Sequence, residues 1–502
     1  ESIIIIDKEL NTYPIFRLTI SLAAGILFAN TYWTGNMTWQ IGILWSLLLA
    51  LGALLRKPSY AGRWLFGAGT SCFMFLVGVV LTGHAWKEVE MDWSPSKQVY
   101  KGVLVESLVE KPKTFQCRVR TSGKEVLLYL PKDSLSVLLK PGDELLFRAK
   151  VEENYARYLY YDGISGTAYV PANAWKKTES EGLDDWKTNA LGIREWLIGK
   201  YRQWGIGEEQ MPVLSALTLG HKGDLDKETR EAYSVAGIAH VLALSGMHIG
   251  IIWFLLRWLK GGLVIPLLWV FAFIVGLEPS VVRAVVMCML MELGRLSGSK
   301  VFSMNTLSVA AFFMLLYNPF YLFDVGFQLS FVAVASILLF YPSLYHVFSF
   351  KHKLARWTWG ILCVSMAAQL GTAPLVMYYF SNFSVYFLMT NLVASVLVPF
   401  IIYGAVLLVM AMPFPELQRY VAMALNGLVS GLNSSAEWVS GLPHATFSFS
   451  VLHPIEIIVF YGMLGAWLMY ARNRRRKWLI RGLFLTACLL MLHFCLLLCC
   501  CK

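Results

Sequence analysis

The stretch GIAHVLALSGMHIG, residues 237–250, sets His240, Ser245 and His248 inside an apolar run that reads as the start of a membrane-spanning helix. Ionisable groups inside a span are costly and mark functional sites. On a continuous helix His240 and His248, two steps of four apart, share a side, while Ser245-Gly246 offers a place to break. The reading predicts a polar site within the bilayer.

Outward from this stretch, composition sets the class. Of 502 residues, 57% are hydrophobic and 15% charged, with a mean hydropathy of +0.56; a soluble globule with a polar surface does not show that balance. Apolar stretches of roughly 17–25 residues, enough for a helix to cross about 30 Å of hydrocarbon, recur along the chain. About thirteen spans are expected on that rule, centred near residues 23, 46, 74, 248, 269, 288, 310, 332, 368, 396, 428, 461 and 488, with those near 269 and 428 the weakest. The expected fold is a polytopic α-helical membrane protein. Only residues 86–224 escape the pattern.

Short loops rich in Lys and Arg stay in the cytoplasm. With a cytoplasmic N-terminus, the inner side holds Lys8 and Arg17; Arg56, Lys57 and Arg63; Arg257 and Lys260; Arg295 and Lys300; Lys351, Lys353 and Arg356; Arg419; and Arg472, Arg474, Arg475, Arg476 and Lys477. The opposite short loops hold almost none. The net charge of +11 thus reflects topology and is no evidence for nucleic-acid binding. The same alternation puts residues 86–230 and the C-terminus outside the cytoplasm.

Most of the nine cysteines lie in apolar segments (Cys72, Cys288, Cys363, Cys488, Cys495) or at the end (Cys499, Cys500, Cys501). Cys117 alone falls in the outer region, so no disulfide forms within it. No CxxC pair or zinc spacing occurs, and neither metal nor cofactor is expected. The segment at 15–30 is followed by further spans and reads as a helix, not a cleaved signal. The chain starts at Glu1 instead of Met, which points either to processing or to a recombinantly trimmed start.

In the outer region the runs 99–106, 115–120, 125–130, 143–151 and 164–170 alternate polar and apolar residues, the period of strands. Turn signals at 140–143 (KPGD) and 162–163 (DG) separate them. Five strands in so short a region fit an inserted, extracytoplasmic small β-barrel of the OB type better than a sandwich. On it, Tyr155, Tyr158, Tyr160 and Tyr161 with Arg118, Arg120, Arg148 and Arg157 can stack bases and hold phosphates; equally, the tyrosines can be core or interface anchors and the cations a solvated face. Residues 184–219 show helical spacing, with Trp186, Leu197, Ile198, Tyr201 and Trp204 on apolar faces of helices expected to lie along the outer surface. The chain divides into a three-helix transmembrane anchor (1–85), the β-domain (86–180), amphipathic surface helices (181–235) and a transmembrane channel domain (236–502).

Several segments in order resemble the ComEC family of bacterial competence proteins: AGIAHVLALSGMHIG at 236–250, GLEPSVVRAVVM at 276–287, NPFYLFDVGFQLSFVAVASI at 318–337, and AAQLGTAPLVMYYF at 367–380 followed by NLVASVLVP at 391–399. The resemblance covers nearly the whole chain. It implies an inner-membrane channel importing single-stranded transforming DNA, working with a separate DNA receptor outside and a cytoplasmic ATPase or helicase. Two departures stand out. Family members often continue into a metallo-β-lactamase-like domain, but no HxHxDH cluster occurs here, so a nuclease would be a separate partner. The segment LTLGHKGDL at 217–225 replaces the family's more usual Gly-Asp pairing, so no role passes to Asp224.

The physics of such a path can be stated from the residues. A helix broken at Ser245-Gly246 frees N–H groups that can meet phosphate; alternatively, the two small residues only permit close helix packing. His240 and His248 can donate to phosphate or be satisfied between helices, and metal binding with His221 or Asp224 is the weaker idea, since no HExxH occurs. Arg283, in the first turn of a span, opposes the helix dipole and calls for an anion: Glu278, Asp324 or a passing phosphate. Asp324 and Gln328 sit one turn apart, and Gln369 and Asn391 on two further spans complete a possible polar lining, though each amide can equally be interhelical glue. No catalytic residue is assigned. Two other functions compete with the channel: a membrane-embedded hydrolase with Ser245 as nucleophile and His248 or His240 as base, and a non-conducting scaffold for the outer domain. No GxxxxGK[ST] loop is present for ATP hydrolysis.

Overall fold

The computed structural model describes residues 14–32, 42, 46, 47, 63–106, 108–133, 135–153, 157–178, 186–259, 262–298, 304–448 and 452–500. Most of the span expected near 46, and Tyr155, lie outside them. The chain is mostly helical with one main sheet.

Helices α1 (Pro14–Tyr32) and α2 (Arg63–Val89) precede strands β1 (Gln98–Leu104), β2 (Val109–Glu110), β3 (Thr114–Thr121), β4 (Lys124–Pro131) and β5 (Glu144–Ala149). A one-turn helix α3 (Arg157–Tyr161), β6 (Ile164–Tyr169) and β7 (Trp175–Lys177) follow. Then come α4 (Trp186–Gln203), α5 (Met211–Leu219), α6 (Lys227–Val235), α7 (Ala239–Leu242), α8 (Gly246–Leu256), α9 (Val264–Val275), α10 (Pro279–Leu296) and α11 (Met304–Tyr317). The rest is α12 (Val325–Tyr345), α13 (Lys353–Phe380), β8 (Asn382–Ser384), α14 (Phe387–Met410), α15 (Pro415–Ser440), β9 (Thr446–Ser448), α16 (Pro454–Asn473) and α17 (Arg476–Cys500). These form two compact units, one of Glu1–Glu195, Phe273–Leu277 and Met289–Phe327, the other of Trp196–Ala272, Glu278–Cys288 and Gln328–Lys502.

In the first unit, α1 and α2 approach at glycines: a Cβ on Gly25 would overlap the Phe75 carbonyl, and one on Gly78 the Leu22 carbonyl. The sheet runs β6-β4-β3-β1-β5-β7, with β2 on β3. β4 and β6 are parallel and the other pairs antiparallel. The five runs expected as strands coincide with β1, β3, β4, β5 and β6. An isolated bridge between Glu152 and Thr167 ties the chain beyond β5 back to β6. Alternate inward residues build the core, with Leu104, Val119, Val126, Leu128, Leu145 and Phe147 each at most 1% exposed. Burial pushes the Cys117 thiol up to about 12, so it stays a neutral core group.

In the second unit α5 departs from expectation. Every residue except Pro212 is buried, because MPVLSALTL is apolar on all sides and a helix of that kind cannot lie on a surface. It is therefore a core helix, not an amphipathic surface one. Helix α15 does have one apolar face, with Val421, Leu425, Val429, Leu432, Ala436 and Val439 buried. Beside that face runs a polar row. Asn426 Oδ1 accepts from Gly207 N (3.1 Å) while its Nδ2 donates to the Gly205 carbonyl (2.9 Å), Gln210 Nε2 donates to Ser430 Oγ (2.9 Å), and the Tyr233 hydroxyl bonds Asn433 Oδ1 (2.8 Å).

Among the described residues six helices are long and apolar enough to cross a membrane: Pro14–Tyr32, Gly67–Val89, Val325–Tyr345, Lys353–Phe380, Phe387–Met410 and Pro454–Asn473. They match the spans expected near 23, 74, 332, 368, 396 and 461, and the chain reads as a multi-pass membrane protein. The expected spans near 248, 269 and 310 are the shorter helices Gly246–Leu256, Val264–Val275 and Met304–Tyr317; the 11 residues of the first rise only about 16 Å. The run expected near 428 is the amphipathic α15, and the run near 288 is α10, whose Arg283, Glu292 and Arg295 lower its apolar character.

Candidate functional site

The opening motif is a helix interrupted in the second unit. Helix α7 ends at Leu242, Ala243 is extended (φ −91°, ψ 130°), Ser245 is extended (φ −120°, ψ 173°), and α8 restarts at Gly246. His240 and His248 therefore do not share a continuous helix; the i, i+8 relation assumed unbroken geometry and fails at Ala243. His240 stands exposed on α7 and His248 is fully enclosed.

Local chemistry explains the break. The backbone N–H of Ser245 donates to His248 Nδ1 at 3.2 Å, and Ser245 Oγ lies 3.0 Å from the same nitrogen. His248 thus closes the reciprocal cap of α8 from the third helical position. Because Nδ1 accepts a backbone N–H, the neutral ring carries its proton on Nε2. That Nε2 is buried and has no hydrogen-bond partner among the described residues. A buried donor left unmatched costs about 1–3 kcal/mol. Upstream, Gly237 (φ +81°) would place a Cβ 2.8 Å from both Phe387 Cβ and Ser384 Oγ, which requires glycine on two counts.

Gly246 also sets the neighbour. Its Cβ position is 3.9 Å from Ala284 Cβ of α10, so the start of α8 lies beside α10 one residue from Arg283, which is 3% exposed. Of the expected partners for Arg283, Glu278 is held by Lys222 at 3.2 Å, and Asp324, in the first unit, accepts from Phe327 N at the start of α12. Gln328 Oε1 accepts from the Tyr379 hydroxyl at 2.8 Å. Gln369 and Asn391 are half-buried on α13 and α14. The structure brings together Ser245, Gly246, His248 and the Arg283 flank, while Gln328 belongs to the α12–α13 contact. Asp224 pairs with Arg202 and His221, each at 3.5 Å.

On the β-domain, Tyr160 and Tyr161 are structural. They pack with Trp86, Val89, Phe320 and Phe323, and Tyr161 accepts from Asn30 Nδ2 at 3.0 Å and stacks on Phe323 at 4.7 Å. Arg118 reaches Glu106 at 3.4 Å and Glu125 at 3.5 Å, and Arg120 reaches Glu125 at 2.8 Å. Arg148, Arg157 and Tyr158 are exposed. The register adds residues that the sequence reading missed. Gln116, Tyr129 and Tyr169 form one outward row across β3, β4 and β6, and the two rings stack at 4.6 Å and 13°. Burial first, then the neighbouring Tyr169 and Tyr158 phenols, push the Tyr129 hydroxyl up. The signal was present as outward positions on strands, but pairing two distant strands was needed to align them.

A family model described as Competence protein matches residues 217–474, a range that contains every candidate path residue and begins after the main sheet. The chain is 27% identical over 369 residues to ComE operon protein 3 of Bacillus subtilis, covering 68% of this chain and 44% of that protein. It is 29% identical over 242 residues to an uncharacterized protein of Aquifex aeolicus (47% of this chain, 56% of that one). With Recombination protein 2 of Haemophilus influenzae it shares 26% over 247 residues (43% and 31%). The matched parts thus span 31–56% of these relatives' lengths. No solved structure matches the chain.

Proposed function

The chain belongs to the competence protein family, and from that premise we propose that it is an inner-membrane channel that imports single-stranded DNA during transformation. The observation that carries the reading is the broken helix at Ala243–Ser245, with a buried His248 Nε2 donor in the first turn of α8 and Gly246, at the start of α8, lying against Ala284, the residue after Arg283. A polyanion crossing a low-dielectric layer needs fixed donors and helix N-termini in place of water. Arg283, Asp324, Gln328, Gln369, Asn391 and His240 are proposed as further members of the path.

The sheet is proposed to be an OB-type barrel that receives DNA outside the cytoplasm. Five main strands with a parallel β4–β6 pair and the Glu152–Thr167 bridge support that reading. Its DNA face is assigned to Tyr129, Tyr158, Tyr169, Arg148 and Arg157, with Arg118 and Arg120 as rim charges. The cation-rich loops are placed in the cytoplasm and the C-terminus outside. About thirteen spans on the length rule, a separate receptor, a cytoplasmic ATPase or helicase, and a separate nuclease belong to the same proposal.

A hydrolase is the second reading, favoured by the 3.0 Å Ser245 Oγ–His248 Nδ1 distance. The same nitrogen also takes the Ser245 backbone N–H, which ties it to capping. Ser245→Ala separates the two: import persists if Ser245 only caps, and is abolished if Oγ is a nucleophile. Deleting the gene and measuring chromosomal transformation in a competent host tests the main proposal. Loss of transformants supports it, and an unchanged frequency overturns it.

A further inference from the structure

Beyond DNA uptake, we propose that a groove between α12, α13 and α14 binds the acyl chain of an anionic phospholipid, with the phosphate held by Lys353 and Arg356. The groove has a volume of about 280 Å³ and is lined by Tyr341, Trp357, Gly360, Ile361, Val364 and Ser395 among others. Its walls are apolar or carry small hydroxyls, which suits a hydrocarbon chain and offers little to a polar solute.

The layout along α13 matches the layers of a lipid. Lys353, Trp357, Gly360, Ile361 and Val364 fall at i, i+4, i+7, i+8 and i+11, one face of a helix. At 1.5 Å per residue, Lys353 stands roughly 6 Å beyond Trp357 and roughly 10 Å beyond Gly360. A cation, then a half-exposed indole, then an apolar floor is the order of phosphate, interface and chain. Gly360 keeps the floor open: a Cβ there would be 3.8 Å from Tyr345 Cε2 and 3.9 Å from Tyr341 Oη, ordinary contact, so a larger side chain would grow into the groove.

Charge says what sits at the mouth. Between Asp324 and Glu416 the chain has no carboxylate, and its only lysines and arginines there are Lys351, Lys353 and Arg356. All three are exposed, and no carboxylate among the described residues forms an ion pair with them. Lys353 and Arg356 lie in the first turn of α13, where a cation opposes the helix dipole and gains nothing locally. Arg472 of α16 adds a further cation by donating to the Leu339 carbonyl at 3.4 Å, two residues before Tyr341. An apolar groove below uncompensated cations is complementary to an acidic lipid, whereas a water-soluble anion would use the cations and leave the groove empty.

The test is native mass spectrometry of the purified full chain, offered dioleoylphosphatidylglycerol, dioleoylphosphatidylcholine or glycerol 3-phosphate at equal concentration. Each Lys or Arg near a lipid phosphate favours binding about fivefold, so two give roughly a 25-fold preference for the phosphatidylglycerol over the phosphatidylcholine. The double change Lys353→Gln with Arg356→Gln should bring that preference close to one without removing phosphatidylcholine adducts. Gly360→Leu should lower retention of both lipids. Glycerol 3-phosphate should not be retained. Equal retention of both lipids by the unaltered chain, an undiminished preference in the double variant, or retention of glycerol 3-phosphate to the level of the lipid overturns the proposal. Both exchanged cations are exposed, so the fold does not depend on them; a thermal unfolding curve matching the unaltered chain verifies this for the double variant.

Discussion

In the sheet of the first unit, charges cancel at the surface. Arg118 and Arg120 share Glu125, Lys177 meets Asp143 at 2.7 Å, and Lys101 meets Glu144 at 2.7 Å. In the second unit the broken helix encloses His248 and leaves its Nε2 unmatched among the described residues. Exposed pairs contribute under about 1 kcal/mol each, so the sheet can lose one and keep its shape. An unmatched buried donor is a standing cost of about 1–3 kcal/mol, tolerated where it does something. The contrast teaches that Arg118 and Arg120 are spent on Glu106 and Glu125, whereas Arg148 and Arg157 stay exposed and the buried donor of the second unit has no partner among the described residues.

Changes in the two regions should rank accordingly. The largest effect is expected in the sheet core, where Phe147 is 1% exposed: Phe147→Ala should cost about 3–5 kcal/mol, read as an earlier thermal transition of strand amides by hydrogen exchange. Protection that does not change would mean the sheet core is not packed as described. Next is Gly237→Ala in the second unit. A positive φ costs about 1–2 kcal/mol and the crowding against Ser384 and Phe387 adds about 1–3, measured as a lowered melting temperature of the detergent-solubilised chain. A neutral result would show that the turn before α7 is not the one described.

Asp226 should have a smaller effect. Its carboxylate accepts from Thr229 N at 2.8 Å and caps α6, so Asp226→Ala should cost about 1 kcal/mol. The Thr229 side chain and amide hold this carboxyl below its ordinary range, aided by Arg230. A depressed carboxylate stabilises fully above its unfolded value, about 3.9, and loses that contribution as pH falls through the folded value. Exchange of the α6 amides should therefore accelerate on acidification below about pH 4 in the parent and not in Asp226→Ala. The smallest change is Arg120→Ala, less than about 1 kcal/mol in an unfolding curve; a loss of several kcal/mol would break the claim that these surface charges merely cancel.

Much of this fold can be read locally. Period-2 alternation marks β1, β3, β4, β5 and β6, and long apolar runs mark the six described helices that are long and apolar enough to cross a membrane, because both signals lie within one segment. The Ser-Gly step at 245–246 likewise announces its own break. What the residues do not announce is decided by partners far away in sequence. Tyr129 and Tyr169 align only once β4 and β6 pair in parallel. Asn426, Ser430 and Asn433 read as an ordinary polar face of α15 until Gly207, Gln210 and Tyr233 arrive against it. Tyr160 and Tyr161 look like their neighbour Tyr158, and only the packing of Trp86 and Phe320 separates core from surface. The spacing of His240 and His248 implies a shared side only on an unbroken helix, and the motif itself interrupts that helix.

The most direct test of the broken-helix site is transformation frequency in cells carrying His248→Asn or His248→Gln, with membrane abundance measured alongside. Asparagine keeps an acceptor near Nδ1 for the Ser245 N–H and removes the Nε2 donor; glutamine keeps a donor near Nε2. Loss of a buried donor to a charged group, about 1.5–3 kcal/mol, corresponds to roughly a 10- to 150-fold fall. The account predicts that fall for His248→Asn at unchanged abundance and a substantially smaller one for His248→Gln. Normal transformation in His248→Asn would contradict it and reduce His248 to a helix cap.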